Sequence, residues 1–359
     1  ICHYDPRRGH NRQSLARQVE EARALGHELW LEAVITKVEG WQDEVTALGA
    51  DVDALGRPFA VVMLSPASDM KCTLPGSVWP PCPPADELFD LARKTFGTVR
   101  LAGGMFSYFT ELNRKRPPVD RLDLVSFTTS ALVHAGDDRS VTESLEAMPH
   151  IARSVTAISK SCPWIVGPSA IGMRDNPYGA QVADNPYDFR QAMNRNDPRQ
   201  RGLIAAAFDV GYFAHMAIGG AKAIALGGLA GPFGTVSSQT PWPQPFFDQS
   251  HGLYPVYHVR RTLSSLKEAN LQTLKITRPR DVMGLSAMTD HKCVTLLANL
   301  TGEKQSVFLF AMKNAQIAML DAEHFVAASL DHEFFEKTRS FSDTSITLDA
   351  YAVAKFIHE

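Results

Sequence analysis

The chain has 359 residues, 45% hydrophobic and 21% charged, with a net charge of −3, the balance of a soluble globular protein large enough for two domains. Such a charge gives no electrostatic reason to expect nucleic acid or an anionic membrane as a partner. No apolar run reaches membrane-span length and no basic-then-apolar leader opens the chain. Five scattered cysteines without a CxxC pair suggest neither a disulfide framework nor a zinc site, which fits a reduced, cytoplasmic protein.

In chain order, residues 1–4 read as the remnant of a strand, because the chain opens on Ile1 with strand-like residues. A helix is predicted over residues 11–25, with Leu15, Val19, Ala22 and Leu25 on one face. Strands follow over 28–35 and 59–64, separated by a helix within 40–55. A loop rich in proline, 73–84, precedes a helix over 85–96. The strand at 99–102 then ends in Gly103-Gly104, where the backbone can turn and approach a neighbour closely. After it, residues 106–116 crowd aromatic, acidic, amide and basic groups into one short loop.

Another strand is predicted at 124–128, then a long helix from Ser140 to about Lys160, its start marked by Ser140 and Glu143 in capping-box spacing. A strand at 164–166, an apolar helix at 199–218, a strand at 221–226 and a helix at 252–270 complete the rhythm. Strand alternating with helix means a parallel sheet. Seven strands fit either a doubly wound sheet or a TIM (β/α)8 barrel lacking its first unit. The barrel is preferred because polar loops follow nearly every strand, as when one end of the barrel carries the site. The missing unit would precede Ile1. Beyond about Lys275, short strands at 282–288, 293–300, 307–311, 317–320 and 345–357 predict a small antiparallel β-sandwich. The expected domains are 1–277 and 278–359.

The polar loops supply the candidate site. Glu111 and Asn113 are the first choice for substrate contact, with Gly104 and Tyr108 beside them. His134, three and four residues from Asp137 and Asp138, has the spacing of a base oriented by a carboxylate. The alternative is that one of the aspartates only precedes a helix N-terminus. Residues 167–198 form a long loop with Asn-Pro-Tyr twice, and Arg174, Asn176 and Tyr178 are expected near a polyol or carboxylate. Glu32, within the second strand, would pair with Glu111 if the site is of the two-carboxylate glycosidase kind. His251 lies before the last helix and within reach of a pocket; it, Tyr254 and His258 share one face by spacing. Ser169 sits in an imperfect nucleophile-elbow pattern, and the glycines at 227–234 lack dinucleotide-loop spacing. No cofactor is expected. A divalent-metal variant, with His3, Asp5, His134 and Asp137 converging, stays open.

The stretches RLAGGMFSYFTELNRKRPP (100–118), SFTTSALVHAGDD (126–138), GLYPVYHV (252–259) and LLANLT (296–301) together resemble the D-apionate lactonase family of bacterial sugar-acid catabolism. The likeness covers nearly the whole chain. It implies a glycosidase-like TIM barrel with a C-terminal β domain, preceded in family members by a further β domain and the first barrel unit. It also implies hydrolysis of a sugar-acid lactone, D-apionolactone, to the open acid. For that reaction the expected base is His134 or Glu111, with Asp137 or Asp138 orienting the imidazole, Arg174 or Asn113 facing the oxyanion, and Tyr108 and Tyr178 as walls. A glycoside hydrolase and a non-catalytic carbohydrate-binding relative are the competing expectations. The oligomeric state is not legible.

Overall fold

In the computed structural model, which describes residues 1–289, 292–310, 312 and 314–358, largely buried segments form the strands expected of them. β1 (Cys2–Tyr4), β2 (Leu29–Ile35), β3 (Phe59–Pro66), β4 (Arg100–Met105), β5 (Leu124–Phe127) and β6 (Trp164–Ser169) pair in parallel, each with the next in sequence. The order never reverses, which is barrel connectivity and not the doubly wound order with its switch point. Every residue of β2 from Leu31 to Ile35 is buried, so the run carries no alternation. The helices between are α1 (Arg12–Arg23), α2 (Trp41–Ala54), α3 (Ala85–Phe96), α4 (Phe109–Arg114), α5 (Asp138–Glu143) and α6 (Met148–Ser159). α3 buries Leu88, Phe89, Ala92 and Phe96 along one face. A Cβ on Gly103 would lie 2.3 Å from the Phe89 ring, so glycine there lets helix and strand meet.

The chain divides into two compact units. The first holds Ile1–Thr129, Arg153–Pro168 and Asp175–Gln181. The second holds Ser130–Ala152, Ser169–Arg174 and Val182–Glu359, of which Glu359 lies outside the described residues. In the second unit α7 (Leu203–Ile218) precedes β7 (Ala223–Leu226), and Gly227 N–H donates to the Ser169 carbonyl at 2.8 Å. α8 (Phe247–Ser250) and α9 (Val256–Ser265) follow. α7 is buried almost all round and packs on α9, β9 and β10.

The C-terminal strands are β8 (Asn270–Gln272), β9 (Val282–Met288), β10 (Cys293–Asn299), β11 (Gln305–Phe308), β12 (Ala315–Leu320), β13 (Arg339–Phe341), β14 (Ser345–Leu348) and β15 (Val353–His358), with the short helix α10 (Phe325–Leu330) between β12 and β13. Six form an antiparallel sheet in the order β13-β12-β15-β10-β9-β8, and β11 pairs with β14. Val282, Leu297, Ile317, Phe341, Leu348 and Phe356 share their core. Buried Asn299 closes the turn that follows β10: its amide donates to the carbonyls of Glu303, Leu348 and Asp349, and its oxygen accepts from Thr301.

Several elements differ from expectation. The long helix of 140–160 is two helices joined by a 3-10 turn, and Pro149 stands in the first turn of the second. Its N-cap is Asp137 and not Ser140: both the N–H and hydroxyl of Ser140 donate to the Asp137 carboxylate. The last barrel helix starts only after Pro255, so His251 and Tyr254 precede it. Residues 345–357 hold two strands, not one, and Asn270, expected to end the last helix, instead begins strand β8. The strand expected at 307–311 is shifted, and its last residue, Ala311, lies outside the described residues.

Candidate functional site

The first unit gathers a buried ionic cluster from the loops that follow β3 and β4. Glu111, on α4, is fully buried. One carboxylate oxygen accepts from Arg114 Nη1 at 2.6 Å, the other from Thr73 N–H at 3.2 Å, with Lys115 Nζ at 3.9 Å. Lys115 is itself buried, and donates to the carbonyls of Asp69 at 3.0 Å and Lys71 at 2.7 Å. Its ammonium also stands 3.9 Å from the Asp69 carboxylate and 6.0 Å from the Trp79 ring centre. A carboxylate taken out of water this completely is tolerable only with such partners.

Asp69 is half-buried, with a quarter of its side chain exposed, and lines a cavity of about 290 Å³ with Trp79, Cys82, Gly104, Lys115 and Arg116. Burial raises the Asp69 pKa above its ordinary 3.8, and Glu111 nearby adds to this, against the opposing pull of Cys82 and Lys115. Burial also pushes the Cys82 thiol up to about 11. Gly104 has a φ of +151°, and a Cβ there would meet the Ser126 carbonyl at 1.9 Å, so only glycine fits this wall.

On the other flank of Glu111 lie Tyr108, Cys72 and the segment Asp175–Gln181. Arg114 Nη1 donates to Cys72 Sγ at 3.3 Å. Tyr178 is 47% exposed; the burial of its remaining surface raises its pKa above the ordinary 10.0, and the nearby Tyr108, Cys72 and Glu111 add to this against the pull of Arg114. The segment is built around buried Asn176. Its amide donates to the Gln181 carbonyl and its oxygen accepts from the N–H groups of Tyr178 and Gly179. Asn176 is therefore occupied by its own loop. Asn185, in the second Asn-Pro-Tyr, ties residues 185–196 in the same way.

The remaining expected residues are placed as follows. Glu32 is buried in the middle of β2, with His3 Nδ1 3.2 Å from its carboxylate. Asn113 is exposed at the end of α4. In the second unit, His134 is exposed, and among the described residues neither Asp137 nor Asp138 hydrogen-bonds it. Asp137 caps α5, and its hydrogen bonds from Ser140 hold its pKa below the ordinary 3.8. Asp138 pairs with Arg190 at 2.7 Å and Arg199 at 3.4 Å. With Gly136, Arg190 and Gln191 these aspartates line an open groove of about 660 Å³. The Arg174 carbonyl accepts from Arg195. His251 is exposed at the end of α8 with a φ of +51°. Ser169 Oγ accepts from Tyr212 in a buried contact. Asp5 is held by Arg7 and Arg8. Among the described residues no group of three or more His, Cys, Asp or Glu side chains could hold a metal ion, and no helix is long and apolar enough to cross a membrane.

Sequence reasoning missed Asp69, Lys115, Trp79 and Lys71. The position of residues 67–72 directly after β3 was the available signal, since such loops carry the chemistry of barrel enzymes.

The structure is similar to a family 51 α-L-arabinofuranosidase from Bifidobacterium longum (10% identity, TM-score 0.62, covering 96% of this chain and 79% of that one). It is also similar to a conserved exported protein from Bacteroides fragilis (10% identity, TM-score 0.57, with 96% and 79% covered). At such identities these likenesses show the fold alone. A D-apionate lactonase from Brucella anthropi is 36% identical over 330 residues, 92% of this chain and 52% of the relative; the chain spans about half the length of the curated relative it matches. Residues 1–268 match the family described as D-apionate lactonase, TIM barrel domain, and residues 279–356 match its C-terminal immunoglobulin-like domain. The chain belongs to the D-apionate lactonase family.

Proposed function

We propose that this chain is the catalytic part of a cytoplasmic lactonase that hydrolyses a sugar-acid lactone, D-apionolactone in the first instance, to the open acid. The barrel, residues 1–277, would carry the reaction, and residues 278–359 form the C-terminal domain. Family membership gives the reaction class. The observation that supports this placement of the chemistry is the half-buried Asp69 carboxylate facing a small cavity, backed by the Glu111 cluster.

In this reading Asp69 takes a proton from water as the water oxygen attacks the lactone carbonyl carbon. Arg116, whose Nε bonds only loosely to the Asn113 carbonyl at 3.4 Å, faces the oxyanion. The ring C–O bond then breaks and the leaving oxygen recovers the proton from Asp69. The new carboxylic acid ionises, so one proton is released per turnover. Trp79 offers its face to the sugar, and Glu111 anchors Arg114 and Lys115. His134 is the second candidate for the base, because its ring nitrogens are free of hydrogen bonds among the described residues.

Proton release on adding D-apionolactone, read beside a panel of aryl glycosides, tests the proposal. Release well above the spontaneous rate with silent glycosides is the expected result. Glycoside cleavage without lactone opening would overturn it in favour of a glycosidase using Glu32 and Glu111.

A further inference from the structure

The segment Asp175–Gln181 belongs to the first unit, although the residues on both sides of it belong to the second. Something must fasten it there. Lys71 is the main fastening: its ammonium donates to the carbonyl of Asn176 at 2.9 Å and of Gly179 at 2.8 Å, and stands 4.0 Å from the Asp175 carboxylate. The next residue, Cys72, donates its N–H to the Pro177 carbonyl at 2.7 Å. Arg7 binds the near end, donating to Asp175 at 2.9 Å while also holding Asp5 at 2.8 Å. Within the segment, the Asn176 clasp fixes the turn that carries Tyr178.

Lys71 also faces the other way. Its carbonyl accepts the Lys115 ammonium, the same cation that stands beside Glu111 and Asp69. One residue thus joins the strap to the ionic cluster, by its side chain on one side and its backbone on the other. Charge-assisted donation to two carbonyls is stronger and more directional than a neutral contact.

We infer that Lys71 is a positioning residue, which fastens Asp175–Gln181 as a fixed strap and thereby braces the loop whose Asp69 and Lys71 carbonyls hold Lys115 in the preformed wall of the Asp69 cavity. The inference rests on the lactonase reading for its kinetic consequence, and on geometry alone for the strap. A preformed wall lowers the ordering cost of substrate binding and leaves the chemical step unchanged. Lys71 therefore governs KM.

The test uses Lys71→Met and Lys71→Arg in the full chain, with lactone kinetics and amide hydrogen exchange over residues 175–181. Lys71→Met is expected to raise KM by about tenfold with kcat within about twofold. Exchange at the strap should accelerate by about tenfold while the barrel strands keep their protection. Lys71→Arg, which keeps the donors, is expected to restore most of both. Unchanged exchange over 175–181 in Lys71→Met overturns the strap, and a fall in kcat at constant KM overturns the positioning role. An inactive wild-type chain would count against the lactonase reading, and strap exchange would still decide the fastening.

Discussion

Two polar loops, one after β4 and one after β5, look alike in sequence and differ in structure. The first carries Glu111, Arg114 and Lys115; the second carries His134, Asp137 and Asp138. In the first, the carboxylate is fully buried, its lone pairs are taken by cations and a backbone N–H, and a cavity opens beside it. In the second, Asp137 spends its carboxylate on a helix cap, Asp138 on two arginines, and His134 is exposed. Burying an ionised group costs several kcal/mol before its partners repay it, whereas a surface cap costs almost nothing to maintain. The first loop therefore holds charge in place, and the second uses charge to shape a local turn.

The largest expected effect comes from removing the centre of the first loop. Glu111→Gln leaves Arg114 and Lys115 without their buried counter-charge, and is expected to lower unfolding free energy by about 3 kcal/mol. Activity should fall by about a hundredfold or more, and a denaturant titration beside the lactone assay reads both.

Asp69→Asn comes next. It removes the proposed base while keeping shape, so kcat should fall by about a hundredfold with a melting temperature close to wild type. Because burial raises the Asp69 pKa, the base is lost as pH falls through a value above the ordinary 3.8. The acid limb of the wild-type rate profile should therefore lie above that value, and Asp69→Asn should abolish it.

Smaller effects are expected from the second loop. Asp137→Ala should cost about 1 kcal/mol through the lost cap, with catalysis by the folded protein unchanged. The smallest belongs to His134→Ala, which should leave kcat within about twofold. A collapse of kcat in this variant would reverse the comparison and move the base to the second loop.

Much of the architecture was legible because burial writes itself into composition. β3 opens on the continuous apolar run Phe59–Leu64, and the glycines within β4 marked a close approach that Gly103 and Gly104 both make. The helix ends were harder, because competing signals stood side by side. Ser140 has capping-box spacing, yet Asp137 lies three residues earlier and its stronger acceptor takes the role. The ionic cluster was half legible. Glu111 and Arg114 are neighbours on one helical turn, but Lys115 meets the carbonyls of Asp69 and Lys71 more than forty residues away in sequence. Asn176 was noticed for its chemistry, but the structure uses its amide in its own loop. An Asn-Pro pair reads equally as a turn or a contact, and the backbone partners that decide between them lie several residues on.

The two asparagine clasps also bear on how the protein ages. Asparagine deamidates chiefly when the backbone nitrogen of the next residue attacks the side-chain amide and closes a five-membered imide. Asn176 and Asn185 are each followed by proline, whose nitrogen carries no hydrogen to lose. The amides that tie these loops are thus shielded from the commonest spontaneous damage to their residue type, and both loops should keep their shape through long storage.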